Sequence, residues 1–205
     1  MCAKEKDKMQ PYYDHAGITI YHGDCREIVP QLNPVDVVIT DPPYGIGKKY
    51  KSHDDTQENL ADLIPIVFCA PKVIVTPGVN NVHEYPKPEW ILCWWKPNAM
   101  VHSAVANCNV WEPILVYGCG YVFGRDGIEV TISPQQTCHP CPKPLKLFQW
   151  LVSKVSGDVI LDPFMGSGTT LRAAKDQNRK AIGIEKEESY CEEAAIRMSQ
   201  EVLAL

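Results

Sequence analysis

Two short apolar runs constrain this chain more than any other feature. Residues 35–40 (VDVVIT) and 159–161 (VIL) each break off at an Asp-Pro step, Asp41-Pro42 and Asp162-Pro163. Runs this short and this apolar read as strands buried on both faces of a sheet. Proline ends them because it has no N–H to give to the ladder. Residues 72–76 form a third such strand, stopped by Pro77-Gly78, and residues 181–184 a fourth. Further strand candidates lie at 18–21, 90–95 and 111–117, with a short one near 128–132. Helical spacing appears at 59–70, where Leu60, Leu63, Ile64 and Val67 share a face and Pro65 weakens or bends the helix. It recurs at 145–155, 169–177 and 187–203, the last with Tyr190, Ala194, Ile196 and Met198 as its apolar contacts. Apolar strands alternating with helices predict an α/β fold, a largely parallel sheet covered by helices on both faces. Ligands of such sheets bind at the carboxyl ends of the strands, so Asp41 and Asp162 are expected on one rim.

The length of 205 residues suits a single domain spanning 1–205. The longest apolar runs are far too short to cross a bilayer, and the charged first ten residues do not read as a signal peptide. A cytoplasmic setting follows. The net charge of −5 argues against a protein that coats nucleic acid by charge alone. It leaves room for a local basic face, and Lys48, Lys49 and Lys51 form the one compact basic cluster, in a glycine-containing loop. Nine cysteines are scattered without framework spacing, as in a reducing compartment. Cys25, Cys69 and Cys93 read as small buried hydrophobes. The close pair Cys138 and Cys141 has no second pair to complete a zinc site, so no metal is expected.

The run Asp162-Pro163-Phe164-Met165-Gly166-Ser167-Gly168-Thr169-Thr170 follows a strand and opens a helix. Glycines there let the backbone turn sharply and approach a ligand. The next strand ends at Glu185, 17 residues after Gly168, near the spacing at which an acid grips ribose hydroxyls. Together these features read as a nucleoside site. Thr169-Thr170 does not supply the Lys-Ser/Thr pair of a P-loop, and Leu171 stands where a dinucleotide site has its third glycine. Asp162 would repel a pyrophosphate but suits a cationic amine, such as that of S-adenosylmethionine.

Asp41-Pro42-Pro43-Tyr44 offers a different chemistry. An exocyclic amine on a base is a poor nucleophile because its lone pair is delocalised into the ring. The Asp41 carboxylate and the Pro42 carbonyl are acceptors that could localise it, Pro43 would stiffen the turn, and Tyr44 would stack on an extruded base, worth roughly 1–3 kcal/mol.

With these residues in hand, the chain resembles the β-group of amino-methylating DNA methyltransferases, in which Asp-Pro-Pro-Tyr precedes Asp-Pro-Phe-x-Gly-Ser-Gly-Thr in a circularly permuted order. His139-Pro140-Cys141-Pro142-Lys143-Pro144 matches that group's His-Pro-x-x-Lys-Pro, and Gly23-Asp24-Cys25 its Gly-Asp-Cys. The resemblance implies a Rossmann-like S-adenosylmethionine-dependent methyltransferase fold. It implies Asp41, Pro42, Pro43 and Tyr44 as the catalytic residues. His139 and Lys143 would hold the methionine end of the cofactor and Asp24 would lie near its adenine. Asp162, Phe164, Gly166, Ser167, Gly168, Thr169 and Glu185 would complete the cofactor site. The substrate it implies is double-stranded DNA with a flipped target base, contacted by Lys48, Lys49 and Lys51. Asp-Pro-Pro-Tyr goes with adenine N6 more often than with cytosine N4 in that family, although the same acceptors serve either amine. Members usually have a longer target-recognition insertion; here its place is within 45–136, where Trp90, Trp94 and Trp95 read as core rather than as stackers of bases, given their apolar neighbours Ile91 and Leu92. The short chain suits a solitary or prophage-borne enzyme in a bacterial or phage-infected cytoplasm, with a second copy or a cognate restriction enzyme as optional partners. A non-catalytic nucleoside-binding module is the reading from another class, and it would need neither Asp41 nor Tyr44.

Overall fold

The computed structural model describes residues 9–45, 57–99, 109–118, 124–132 and 143–200. These build one nine-stranded sheet in the order β1-β2-β9-β8-β3-β4-β6-β5-β7. Its centre is parallel: β2 (Ile18–His22), β9 (Lys180–Glu185), β8 (Val159–Asp162), β3 (Val37–Thr40) and β4 (Lys72–Val75). β6 (Trp111–Tyr117) then runs antiparallel between β4 and β5 (Trp90–Trp95), and the short β7 (Gly127–Glu129) closes that edge. β1 (Tyr13–His15), which the sequence reading did not foresee, pairs antiparallel with β2 at the other edge.

Alternation along the strands sorts the core into two layers. Val37 and Ile39 of β3 join a cluster with α3 (Leu145–Ser153), α4 (Thr169–Lys175) and α5 (Glu188–Ser199). Val38 faces the other way, with Val73, Val75, Leu115 and Leu161, toward α1 (Cys25–Ile28) and α2 (Gln57–Val67). Each fully buried aliphatic side chain contributes about 1.5–3 kcal/mol, and all four residues of β3 are buried, as a strand covered on both faces requires. Pro65 lies inside α2, which stops two residues later at Val67, before the 70 expected.

Three expectations need correction. Ile196 is 58% exposed, because the buried stripe of α5 is Tyr190, Cys191, Ala194 and Met198, and position 196 falls outside that helical period. Cys69 is exposed and Cys93 half-buried, leaving Cys25 as the buried member of the three. Cys69 falls just past the end of α2, outside the helix face that packs on the sheet. Of the tryptophans at 90–95, Trp94 is core at 2% exposure, whereas Trp90 and Trp95 stand at 58% and 44%. Cys138 and Cys141 lie outside the described residues.

The topology fixes where a ligand can sit. From β3 the chain proceeds to β4 on one side, and from β8 to β9 on the other. The sheet therefore switches direction between β3 and β8, the position where open α/β sheets form their ligand crevice. Asp36 sets the relation of these two strands: its Oδ2 accepts the N–H groups of Asp158 and Val159 at 2.7 and 2.8 Å.

Candidate active site

Asp162 closes β8 and Asp41 follows β3, so the two Asp-Pro steps leave neighbouring strands on one rim. The hydroxyl of Thr40, the residue before Asp41, donates to Asp162 Oδ1 at 2.6 Å. An arrangement with the two acids on opposite edges would have ended the reading of a shared cleft; the strands are in fact adjacent.

Around Asp162 the chain forms a tight, backbone-built cradle. The carboxylate is 3% exposed. Its Oδ2 accepts the Thr170 hydroxyl and its Oδ1 the N–H of Phe164 at 3.1 Å. Among the described residues no cation pairs with it, and burial pushes its pKa up to about 6. Gly166 and Gly168 take positive φ angles of 50° and 78°, and Gly168 caps α4. Glu185, at the end of β9, ties this turn down, accepting Gly166 N–H on Oε2 at 3.0 Å and Glu187 N–H on Oε1 at 2.8 Å. Burial raises its pKa as well. Leu171, in the place of a third glycine, is fully buried. The room it needs is supplied across the loop by Gly183, where a Cβ would come within 2.8 Å of Leu171 Cδ2. Ser167 and Thr169 are buried, and the Ser167 carbonyl and Thr169 hydroxyl accept from Arg197 of α5 at 3.4 and 3.3 Å. Phe164 is half-buried against the α1–α2 layer.

Asp24 stands at the end of β2 but has a local task. It caps α1, accepting Arg26 N–H at 2.9 Å, and holds the Arg26 guanidinium at 2.6 Å. The hydrogen bond from Arg26 takes its pKa down to about 2.

The second half of the site is built from far-apart segments. Asp41 Oδ1 accepts two hydrogen bonds, from the Thr76 hydroxyl at 2.6 Å and the Tyr44 hydroxyl at 2.8 Å, and forms an ion pair with Lys143 Nζ at 2.9 Å. Among the described residues no donor reaches Oδ2. Asn81 Nδ2 holds the loop by donating to the Tyr44 carbonyl at 2.6 Å. The Tyr44 ring lies over Gly78, where a Cβ would be 3.1 Å from Cε2, so only glycine gives the ring this floor. Burial and the Asp41 carboxylate raise the Tyr44 pKa well above its ordinary value. Pro42 is buried and Pro43 half-buried.

Lys143, expected at the methionine end of a cofactor, has its Nζ 2.6 Å from the Tyr44 hydroxyl and 3.5 Å from Glu112 Oε2, beside the Asp41–Tyr44 loop. Sequence reasoning also missed Glu112 and Lys96, a buried pair at 2.6 Å with Lys96 2% exposed. The available signal was an acid opening one apolar strand (β6) and a lysine ending another (β5). Thr40, Thr76, Asn81 and Thr170 were likewise unforeseen. Lys48, Lys49, Lys51 and His139 lie outside the described residues. Among the described residues no group of three His, Cys, Asp or Glu is placed to hold a metal ion, and no helix is long and apolar enough to cross a membrane.

Known proteins resemble this chain in sequence and in fold. The DNA methylase family profile matches residues 124–196, which include the cradle. The type II methyltransferase M.ScaI of Streptomyces caespitosus is 26% identical, over 96% of this chain and 86% of its own. The crystal structure of the M1.HpyAVI-SAM complex superposes with a TM-score of 0.71 at 27% identity, covering 89% of this chain and all of that one. The cytosine-N4-specific PvuII DNA methyltransferase shares the fold, with a TM-score of 0.75 at 16% identity over 96% of this chain and 92% of its own. The fold is thus the Rossmann-like fold of S-adenosylmethionine-dependent DNA methyltransferases, and the DNA methylase match over residues 124–196, together with the type II methyltransferase relatives, supports an N6-adenine/N4-cytosine DNA methyltransferase family for this chain.

Proposed function

We propose that this protein is a site-specific DNA methyltransferase that uses S-adenosylmethionine to methylate N6 of adenine. The observation that carries the reading is the meeting of two unlike carboxylates at the switch point: Asp162, buried without a cation, and Asp41, anchored by one oxygen with the other open among the described residues. A buried carboxylate lacking a counter-charge suits a cationic amine, which the methionine end of S-adenosylmethionine has. Glu185 suits the ribose hydroxyls, since each of its oxygens accepts a backbone N–H and keeps a lone pair. The M1.HpyAVI complex with SAM supports this choice of cofactor. Phe164, Gly166, Ser167, Gly168 and Thr169 shape the cradle, with Asp24 and His139 as its outer members.

Held by Asp162, Glu185 and the Phe164–Thr169 turn, S-adenosylmethionine would supply an electrophilic methyl group on a sulfonium; the transfer would leave the thioether S-adenosylhomocysteine, and the proton lost by the amine would pass to solvent. The chain's own residues prepare that amine. Asp41 and the Pro42 carbonyl accept its two N–H bonds, drawing the lone pair out of conjugation. Pro43 stiffens the loop, and Tyr44 gives the base a face to stack on. The base must leave the duplex to reach them. Double-stranded DNA is the partner, with Lys48, Lys49 and Lys51 on its phosphates and residues 45–136 reading its sequence as part of one domain. Adenine is favoured by the Asp-Pro-Pro-Tyr form of the loop. Mass spectrometry of nucleosides from DNA of expressing cells should show N6-methyladenine, absent with Asp41→Ala. N4-methylcytosine in its place would overturn the base assignment, and no methylated base would overturn the enzyme.

A further inference from the structure

Four charges of alternating sign run from the buried edge of the sheet to the catalytic loop. Lys96 Nζ meets Glu112 Oε1 at 2.6 Å, Glu112 Oε2 lies 3.5 Å from Lys143 Nζ, and Lys143 Nζ lies 2.9 Å from Asp41 Oδ1. The side chains of Lys96, Glu112 and Lys143 are 2%, 13% and 13% exposed, so this is an interior network. Trp94 braces it: both ammonium groups lie near its ring, Lys96 at 5.2 Å and Lys143 at 5.8 Å from the centroid. The indole is itself fixed by an Nε1–H bond to the Val130 carbonyl at 2.9 Å. Burying two lysines costs desolvation that well-packed apolar residues would avoid, so stability alone does not account for the network. What it accomplishes is visible at its end. Lys143, Thr76 and Tyr44 all converge on Oδ1 of Asp41, and among the described residues no donor reaches Oδ2.

We propose that Lys143, clamped by the Lys96–Glu112 pair, is a positioning residue for methyl transfer: it fixes Asp41 through Oδ1 and reserves Oδ2 for the N–H of the target amine. The proposal rests on the methyltransferase reading above and moves Lys143 from the cofactor to the nucleophile's side of the site. Burial works against the charge on Lys143, but Asp41, Tyr44 and Glu112 outweigh it and hold its pKa well above the ordinary lysine value. Lys143 thus stays charged wherever the enzyme works. Among the described residues the titratable groups around Asp41 are Tyr44 on its own loop, Lys143 ahead of α3, Asp162 on β8 and Tyr85 beyond β4, with Glu112 of β6 behind Tyr44 and Lys143. Of these, Lys143 is the cation.

The test compares Lys143→Met, Lys143→Arg and Glu112→Gln with the unsubstituted protein, at saturating S-adenosylmethionine so that Asp162 stays ionised. Lys143→Met should lower kcat about 100-fold and move the acid limb of kcat up by about one pH unit, with cofactor Kd within about threefold. Lys143→Arg should recover kcat to within about tenfold, since it restores the charge without the geometry. Glu112→Gln should show the same split at smaller amplitude, and thermal melting identifies any variant that fails to fold. The proposal is overturned if Lys143→Met weakens cofactor binding as much as it lowers kcat, or leaves kcat and its pH profile unchanged. If the unsubstituted protein transfers no methyl group to DNA, the functional reading fails instead. The clamp is then read from the ¹³Cε shift of Lys143, which should resist titration beyond the ordinary lysine range and titrate at lower pH in Glu112→Gln than in the unsubstituted protein. Ordinary titration in the unsubstituted protein would sink the clamp itself.

Discussion

Asp41 and Asp162 leave adjacent strands through the same Asp-Pro step, yet the protein treats them in opposite ways. Asp162 is 3% exposed, surrounded by two hydroxyls and a backbone N–H, and has no counter-charge among the described residues. Asp41 is 24% exposed and has Lys143 at 2.9 Å. An acid solvated only by neutral donors gains most from a cationic ligand. An acid already balanced by a lysine gains little from one, and what it offers is a hydrogen-bond acceptor in a fixed orientation. Under the proposed function the contrast divides the labour of the site: one carboxylate to bind, the other to activate.

The largest expected effect tests the second half. Asp41→Ala should cut kcat by about 10³-fold or more while cofactor affinity, measured by calorimetry, stays within about threefold; a matching loss of affinity would erase the distinction between the two acids. Next, Asp162→Asn should weaken S-adenosylmethionine binding about 100-fold, the scale of a lost charged hydrogen bond. The same change should stabilise the cofactor-free protein. The folded pKa of Asp162, about 6, lies above the ordinary 3.8. Its contribution to stability is therefore present in full below about pH 4 and lost as pH rises through about 6. At neutral pH the asparagine variant should be more stable by about 3 kcal/mol and melt at a higher temperature. An unchanged or lower melting temperature would mean that the acid is not strained in the free protein.

Because the pairing requires an ionised acid and a protonated amine, affinity for S-adenosylmethionine should be flat between about pH 6 and pH 8 and fall about tenfold per unit below that window, with no such acid slope in Asp162→Asn. The smallest effect concerns Asp24. Its replacement by alanine removes a helix cap and should cost about 1 kcal/mol of stability, with cofactor affinity changed less than tenfold. A larger loss would give Asp24 a share in the cofactor site beyond its bond to Arg26.

The two halves also differ in how plainly the sequence spells them out. The cofactor cradle is one contiguous stretch plus the end of the next strand, so its geometry follows from local rules: an apolar run, a proline stop, a glycine turn and a helix start. The same rules located the central strands and placed both acids on one rim. The catalytic half draws on Asp41, Thr76, Asn81, Glu112 and Lys143, which meet only because of the strand order. Nothing local distinguishes Lys96 or Glu112 from a solvated charge at a strand end, and their pairing needs the antiparallel register that sets Trp95 opposite Trp111. Lys143 was read from its motif, and the motif does not say in which direction a long, flexible side chain turns. Ile196 and Trp90 failed for the complementary reason: apolar character was taken as burial, when folded surfaces are themselves largely apolar.

The Thr40–Asp162 hydrogen bond has a consequence for precision. It spans β3 and β8, so the distance between the group that activates and the cradle that binds is inherited from the spacing of hydrogen-bonded strands, about 4.8 Å, and not from any loop. A ruler made of backbone does not drift with side-chain substitutions at the surface. Recognition segments around this centre can therefore change in length and composition while the two reacting partners keep their separation.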